Sequence, residues 1–75
     1  MAEQIPVTAL KPGEQAEVVT VDTLDLISLR KLTALGILPG VTVKMVQVFP
    51  TYVLQVDYTL LALDSQIAGK IVVKK

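Results

Sequence analysis

The 75-residue chain contains no histidine, no cysteine and no tryptophan, and these absences narrow the chemistry it can carry. Without imidazole or thiolate, a metal site would depend on carboxylates, amides or backbone oxygens, which suit hard cations rather than zinc, copper or tightly held iron. Histidine general-base catalysis and cysteine nucleophiles are excluded as well. The seven carboxylates show no metal-ligand spacing. We therefore predict no enzymatic activity, no cofactor and no metal site.

Net charge is also lacking, because seven basic residues balance seven acidic ones. A neutral chain has no summed field that attracts a polyanion, so nucleic acid is not an expected partner. Although 52% of the residues are hydrophobic, no run reaches the roughly 18 apolar residues of a membrane helix. The N-terminal sequence MAEQIPVT also lacks the basic and apolar regions of a secretion signal. We expect a cytoplasmic protein without direct membrane insertion.

Turn signals at short intervals divide the chain into strands and one helix. The helix is predicted over residues 24–35, after the N-cap residue types Asp22, Thr23 and Asp25. Four leucines form the arc expected to pack against the sheet: Leu24, Leu29, Leu32 and Leu35. Alternating and β-branched residues predict strands over residues 15–21, 41–49, 52–57, 60–63 and 70–74.

Five short strands joined by tight turns indicate a small antiparallel barrel, because closure removes the edges of a small sheet. The helix falls between the first and second strands, where it would plug one open end of the barrel. One helical or 3₁₀ turn is expected over residues 64–68, before the last strand, as in SH3-like barrels. The prediction is a five-stranded, SH3-like barrel, mainly β with one helix, forming one domain over residues 1–75.

The most specific motif is LTALGILPG, residues 32–40. Gly36 stands where a helix ends in a left-handed residue, and an apolar contact from Ile37 or Leu38 would complete that cap. Pro39 and Gly40 then suit the two corners of a type II turn. Backbone geometry therefore accounts for Gly36, Leu38, Pro39 and Gly40 as a structural motif. A recognition corner is the alternative interpretation.

This motif, preceded by Arg30 and Lys31 and followed by VTVKMVQVFP, resembles the core signature of FeoA proteins. The opening LKPGEQAEV, the triplet LAL and an Ile–Val ending extend the resemblance over most of the chain. The chain departs from the family pattern in having no Gly-Asp-Pro loop after Pro50, and in placing Leu60 and Asp64 around the triplet. The resemblance implies an SH3-like fold and docking on the cytosolic GTPase region of a FeoB-type transporter, with modulation of ferrous-iron uptake.

Some apolar residues do not fit inside the predicted core. Leu26 and Ile27 lie outside the leucine arc, so they face solvent unless the buried stripe is wider or the helix begins one residue away from the predicted start. Adjacent strand residues point to opposite faces, and Leu60 is expected outside, beside Tyr52 or Tyr58. The predicted partner-binding residues are Leu26, Ile27, Arg30, Tyr58 and Leu60. A weak homo-oligomer through this surface is an alternative to a separate partner.

Two other functions compete with this one. The same barrel forms the C-terminal domain of iron-dependent repressors, so a regulatory SH3-like domain in a metalloregulator assembly is the second hypothesis. An RNA-binding barrel is the third, and three aromatic residues with no net charge disfavour it. The carboxylates of Asp22 and Asp25 are interpreted as helix caps rather than cation ligands.

Overall fold

The computed structural model describes residues 3–75 and arranges most of them in one antiparallel sheet. The described strands are β1 (Gln4–Pro6), β2 (Gln15–Val21), β3 (Thr42–Gln47), β4 (Tyr52–Val56), β5 (Thr59–Leu63) and β6 (Ile71–Lys74). Helix α1 (Leu26–Ala34) follows β2, and the short helix α2 (Ser65–Ala68) precedes β6. A 3₁₀ helix covers Val7–Ala9, directly after β1. The strand order is β1-β6-β2-β3-β4-β5.

The mainly β prediction is confirmed, and all five predicted strands are present with ends shifted by a few residues. The five-stranded closed barrel is wrong in two respects. The described residues form six strands because Gln4–Pro6 pairs with β6, so α1 lies between the second and third strands. The sheet of residues 3–75 is also open, since β1 and β5 stand at its two ends and do not pair with each other. β1 has only three residues and pairs with β6 alone.

Strand β2 joins the two halves of the sheet, one formed with β6 and β1 and the other with β3, β4 and β5. Residues 15–17 pair with β3, whereas residues 17–21 pair with β6, and the second register shifts between Val18 and Thr20. This irregularity increases the local twist and bends the strand. The sheet consequently wraps around its own apolar face.

The core lies inside this wrapped sheet and contains no buried polar side chain within residues 3–75. Both halves of the sheet contribute to it: Val18, Ile71 and Val73 from one half, and Val43, Met45 and Leu54 from the other. Val7, the first residue of the 3₁₀ helix, and Leu10, directly after it, are also buried. Their burial explains why the segment before β2 folds back, a feature that the turn pattern alone did not predict.

Helix α1 is peripheral, because Leu32 is its only buried side chain. The predicted packing arc is therefore wrong at both ends: Leu24 is fully exposed, and Leu35 is 36% exposed. The helix begins at Leu26, so Leu24 precedes the N-cap and is not part of the helical surface. Leu29, in the middle of the arc, is half-buried.

Asp25 caps the start of α1, as its residue type predicts. Its Oδ1 accepts a hydrogen bond from the Ile27 backbone N–H at 3.0 Å, and its Oδ2 accepts one from the Ser28 hydroxyl at 2.7 Å. The Ser28 hydrogen bond, followed by that of Ile27, lowers the pKa of the Asp25 carboxyl below its ordinary value. Both hydrogen bonds favour the ionised carboxylate, which also interacts favourably with the helix dipole.

Replacing Leu32 tests whether this one side chain holds α1 on the sheet. Leu32→Ala should lower the free energy of unfolding by about 2–5 kcal/mol, because it removes buried methyl groups and leaves a cavity. The matched control Leu26→Ala, at an exposed site of the same helix, should change it by less than about 0.5 kcal/mol. Urea unfolding followed by circular dichroism measures both values. Equal effects of the two substitutions would contradict a helix anchored by Leu32.

The lowered pKa of Asp25 predicts a dependence of stability on pH. Stability contributed by the ionised carboxylate is complete above the unfolded-state pKa, about 4, and is lost as the pH falls through the lower folded-state value. Asp25→Asn keeps a capping oxygen but does not titrate. Its urea midpoint should therefore fall less than that of the wild type between pH about 5 and about 2. Parallel curves for the two proteins would show that Asp25 does not contribute.

Candidate functional site

The motif that ends α1 fixes how the chain returns to the sheet. Gly36 adopts a φ of 93°, and the Ile37 N–H donates to the Leu32 carbonyl at 2.9 Å. The Gly36 N–H donates to the Thr33 carbonyl at 3.0 Å, which completes a Schellman cap. The buried Ile37 supplies the apolar contact of this cap.

A type II turn follows directly. The Val41 N–H donates to the Leu38 carbonyl at 3.1 Å, with Pro39 at the first corner and Gly40 at a φ of 92°. The turn is tied to β2, because the Gly40 N–H donates to the Val18 carbonyl at 2.8 Å. Leu38 is left 42% exposed. Backbone requirements thus explain both glycines and Pro39 without a ligand.

The start of α1 presents apolar side chains to solvent. Leu26 is 65% exposed and Ile27 80% exposed, so the wider buried stripe considered for this helix is not present. Arg30 is exposed and lies one helical turn after both residues, on the same side of the helix. We call Leu26, Ile27 and Arg30 the helix patch.

The β4–β5 hairpin carries the other predicted contact residues. Its two-residue turn places Asp57 at a φ of 54° and leaves Tyr58 fully exposed. Leu60 is 62% exposed, whereas its neighbour Leu61 is 6% exposed, in line with their opposite faces. Tyr52, the alternative neighbour considered for Leu60, is half-buried and packs against the core. We call Tyr58 and Leu60 the hairpin patch.

The two patches lie on separate elements, and no hydrogen bond within residues 3–75 joins them. The C-terminal end of α1 is the end nearer the hairpin, since a Cβ on Gly36 would lie 3.6 Å from Val56 Cγ1. Ile27 and Gly36 are about 13 Å apart along the helix axis. The partly exposed Leu35 and Leu38 lie at the end of α1 nearest the hairpin. One partner would thus need an extended contact surface to meet both patches.

Sequence reasoning missed a third set of exposed apolar residues, at the end of β3 and in the connection from β3 to β4. Val46 and Val48 are 40% and 37% exposed, and Phe49 is 83% exposed. The long predicted strand over residues 41–49 concealed them, because β3 ends at Gln47 and its pairing with β4 shifts after Met45. The signal that could have revealed Phe49 is Pro50, because proline has no N–H to donate to a neighbouring strand and is disfavoured inside a paired strand.

Charged contacts lie on another part of the surface. Glu17 pairs with Lys74 at 3.5 Å, and Glu14 pairs with Lys75. The Lys75 hydrogen bond, followed by that of the Lys11 N–H, lowers the pKa of the Glu14 carboxyl. These two ion pairs are the ones present in the described part of the chain, and neither involves Arg30.

Few other binding chemistries are visible in the structure. Residues 3–75 contain no group of three or more Asp or Glu side chains placed to hold a metal ion. No helix in the same range is long and apolar enough to cross a bilayer. The large exposed apolar residues of the described surface are those of the helix patch and the hairpin patch, together with Leu24, Leu35, Leu38, Val46, Val48 and Phe49.

Comparison with known proteins gives the relatives of this chain. The FeoA domain family matches residues 5–75. A comparison with curated proteins gave no match. FeoA from Stenotrophomonas maltophilia, solved with zinc, is 30% identical and has a TM-score of 0.83, and the match covers 92% of this chain and 88% of that one. It has been described as a prokaryotic SH3 domain protein proposed to activate bacterial ferrous iron transport.

Two further solved structures place the fold more broadly. An iron uptake regulatory protein, also a FeoA, is 23% identical with a TM-score of 0.86, and the match covers 97% of this chain and 99% of that one. T. acidophilum IdeR is 25% identical with a TM-score of 0.88, and the match covers 95% of this chain but only 33% of the IdeR chain. The fold is SH3-like and is related both to ferrous iron transport accessory proteins and to a domain of IdeR repressors. With the family match over almost its whole length, the chain belongs to the FeoA domain family.

Proposed function

We propose that this chain is a non-catalytic, single-domain cytoplasmic module that docks on the cytosolic GTPase region of a FeoB-type transporter and modulates ferrous-iron uptake. The observation that carries the proposal is the exposed helix patch of a FeoA-family chain. Leu26 and Ile27 are apolar and largely exposed, whereas Leu32 of the same helix is buried. Exposed apolar clusters of this kind commonly mark protein–protein contact sites.

The way α1 is held supports this role. With one buried anchor, the helix contributes most of its surface to solvent and little to the core. Apolar anchors spaced along one helix face are a recurring means of protein recognition, in which the helix fills a groove of its partner. The helix patch supplies two such anchors, and Arg30 beside them is free of the two ion pairs described above. An acidic group on the partner would pair with its guanidinium.

The hairpin patch extends the proposed contact. Tyr58 adds an amphipathic ring at the turn, and aromatic residues are frequent anchors in interfaces. The Gly-Asp-Pro loop of FeoA proteins has no counterpart here, and the connection from β3 to β4 carries the exposed Val48 and Phe49 instead. We therefore assign the docking contact to α1 and the hairpin rather than to that loop.

The ligand chemistry of the chain supports a role in contact rather than in iron carriage. Ferrous iron held tightly by a protein is usually bound through imidazole, thiolate or clustered carboxylates. The sequence has no histidine or cysteine. Modulation of transport would then pass through the bound transporter, with the chain stabilising one conformation of the GTPase region by binding it more tightly than the other.

The docking surface is tested by titrating the chain with the soluble cytosolic region of a FeoB-type transporter. The double substitution Leu26→Asp and Leu60→Asp should weaken binding by about tenfold or more, because it places charges in two apolar contacts. Isothermal titration calorimetry measures the change in Kd. Unchanged binding by the folded double variant would exclude this surface.

A matched double variant controls for a general effect of added charge. Val46→Asp and Phe49→Asp replace two exposed apolar residues outside both patches. Binding by this variant should stay within about twofold of the wild type, since neither side chain belongs to the proposed contact. A loss as large as that of the first variant would move the contact to the end of β3 and the connection that follows it.

The match to IdeR favours a second candidate, a regulatory SH3-like domain acting in a metalloregulator assembly. This chain spans about a third of IdeR, so the remaining parts of such a repressor would have to come from another chain. The neutral charge of the sequence also gives it little attraction for DNA of its own. Purification from native cells under mild conditions separates the candidates. Recovery of a FeoB-type transporter supports the first, and recovery of a DNA-binding metalloregulator supports the second.

A further inference from the structure

The two ends of the sheet are not equivalent. β1 has three residues and contains Pro6, which offers no N–H for a further strand. β5 has five residues, Thr59–Leu63, and contains no charge, proline or glycine. Its register with β4 is regular over its whole length, without a bulge. Charge, proline, bulges and short length are the usual means by which proteins protect a sheet edge, and β5 has none of them.

The backbone of β5 offers hydrogen-bonding groups along its outer side. Val56 and Thr59 flank the two-residue turn and form its closing pair, so Thr59, Leu61 and Leu63 direct their backbone groups toward β4. Leu60 and Ala62 therefore direct theirs away from the sheet. None of the described backbone or side-chain hydrogen bonds outside the strand pairs involves residues 59–63. Unpaired backbone groups of this kind must be solvated or meet another strand.

We propose that β5 pairs with β5 of a second copy of this chain, antiparallel and about a two-fold axis, to form a weak dimer. One register pairs all five residues of both strands. It sets Leu61 opposite Leu61 of the second copy, Leu60 opposite Ala62, and Thr59 opposite Leu63. The backbone N–H and C=O groups of Leu60 then bond to those of Ala62 in the other copy, because both residues direct these groups toward the dimer interface.

The side chains and charges around β5 fit a second copy. Leu60 and Ala62 are both exposed on the outer face, and in this register the isobutyl group of Leu60 covers the methyl group of Ala62 in the other copy. The acidic residues at the strand ends do not meet, since Asp64 faces Tyr58 and Asp57 faces Ser65. Such isologous self-complementarity is what a two-fold homodimer requires.

The dimer is weak because the interface is small. Pairing of two five-residue strands buries far less than the roughly 1,200 Å² of a stable protein–protein interface. Each copy also completes its own core from residues of one chain, so the monomer folds without its partner. The proposal does not depend on the proposed function, although Leu60 belongs to both surfaces. Dimerisation would thus compete with docking at the hairpin patch.

Sedimentation velocity of the purified chain from about 10 µM to about 1 mM tests the association. The wild type should change from monomer to dimer over this range. Leu60→Lys should raise the dimer Kd at least tenfold, because it places a charge on the edge. Leu26→Lys is the matched control, since Leu26 is 65% exposed and Leu60 62%, and it should leave the Kd within twofold. A monomer at every concentration, or equal effects of the two variants, overturns the proposal.

Disulfide formation between introduced cysteines tests the register, because the chain has no cysteine of its own. Copies carrying Leu60→Cys are mixed with copies carrying Ala62→Cys and oxidised, after circular dichroism has shown that both are folded. The mixed disulfide should form in excess over statistical pairing, because these two positions face each other in the proposed register. Statistical pairing, or an excess of either symmetric disulfide, overturns it. Binding of an extended peptide to β5, in a chain that remains monomeric, also overturns the proposal.

Discussion

The pairing of β2 with both β3 and β6 is the constraint on which the rest of the structure depends. Val18 lies where the strand passes from one neighbour to the other: its N–H donates to the Val41 carbonyl at 2.8 Å, and it pairs with Val73 of β6 on the opposite side. A strand bonded to both halves at a bend forces their apolar faces together. The core, the return of the chain after α1 and the position of the β4–β5 hairpin all follow from that bend.

Local sequence patterns predicted the individual strands and the helix better than they predicted whether the sheet closes. Alternating residues and turn types located β2 to β6, because those signals act within a few residues. β1 was missed since three residues ending in Pro6 carry no alternation, and only its pairing with β6 makes it a strand. Closure of the sheet was wrongly predicted for a related reason. Whether the first and last strands in the sheet meet depends on long-range packing, which no local pattern encodes.

The candidate site shows the same division between local and long-range information. Exposure of Leu60 followed from the opposite faces of adjacent strand residues, and exposure of Leu26 and Ile27 from their position on the helix wheel. Exposure of Leu24 could not be derived in this way, because it depends on Asp25 capping a helix that begins two residues later than the leucine pattern indicates. Phe49 was concealed by a shift of register between β3 and β4. Membership in the FeoA domain family does not by itself assign any of these residues a partner.

The single anchor of α1 has a consequence for how such a protein changes over evolutionary time. Substitutions on the buried face of a packed helix alter the core and therefore cost stability. Here Leu32 carries the attachment, while the remaining side chains of the helix leave the core untouched. New binding specificities can consequently arise on α1 by mutation without passing through unstable intermediates. The sheet holds the buried core, and the helix is the part of the molecule that is free to diverge with its partners.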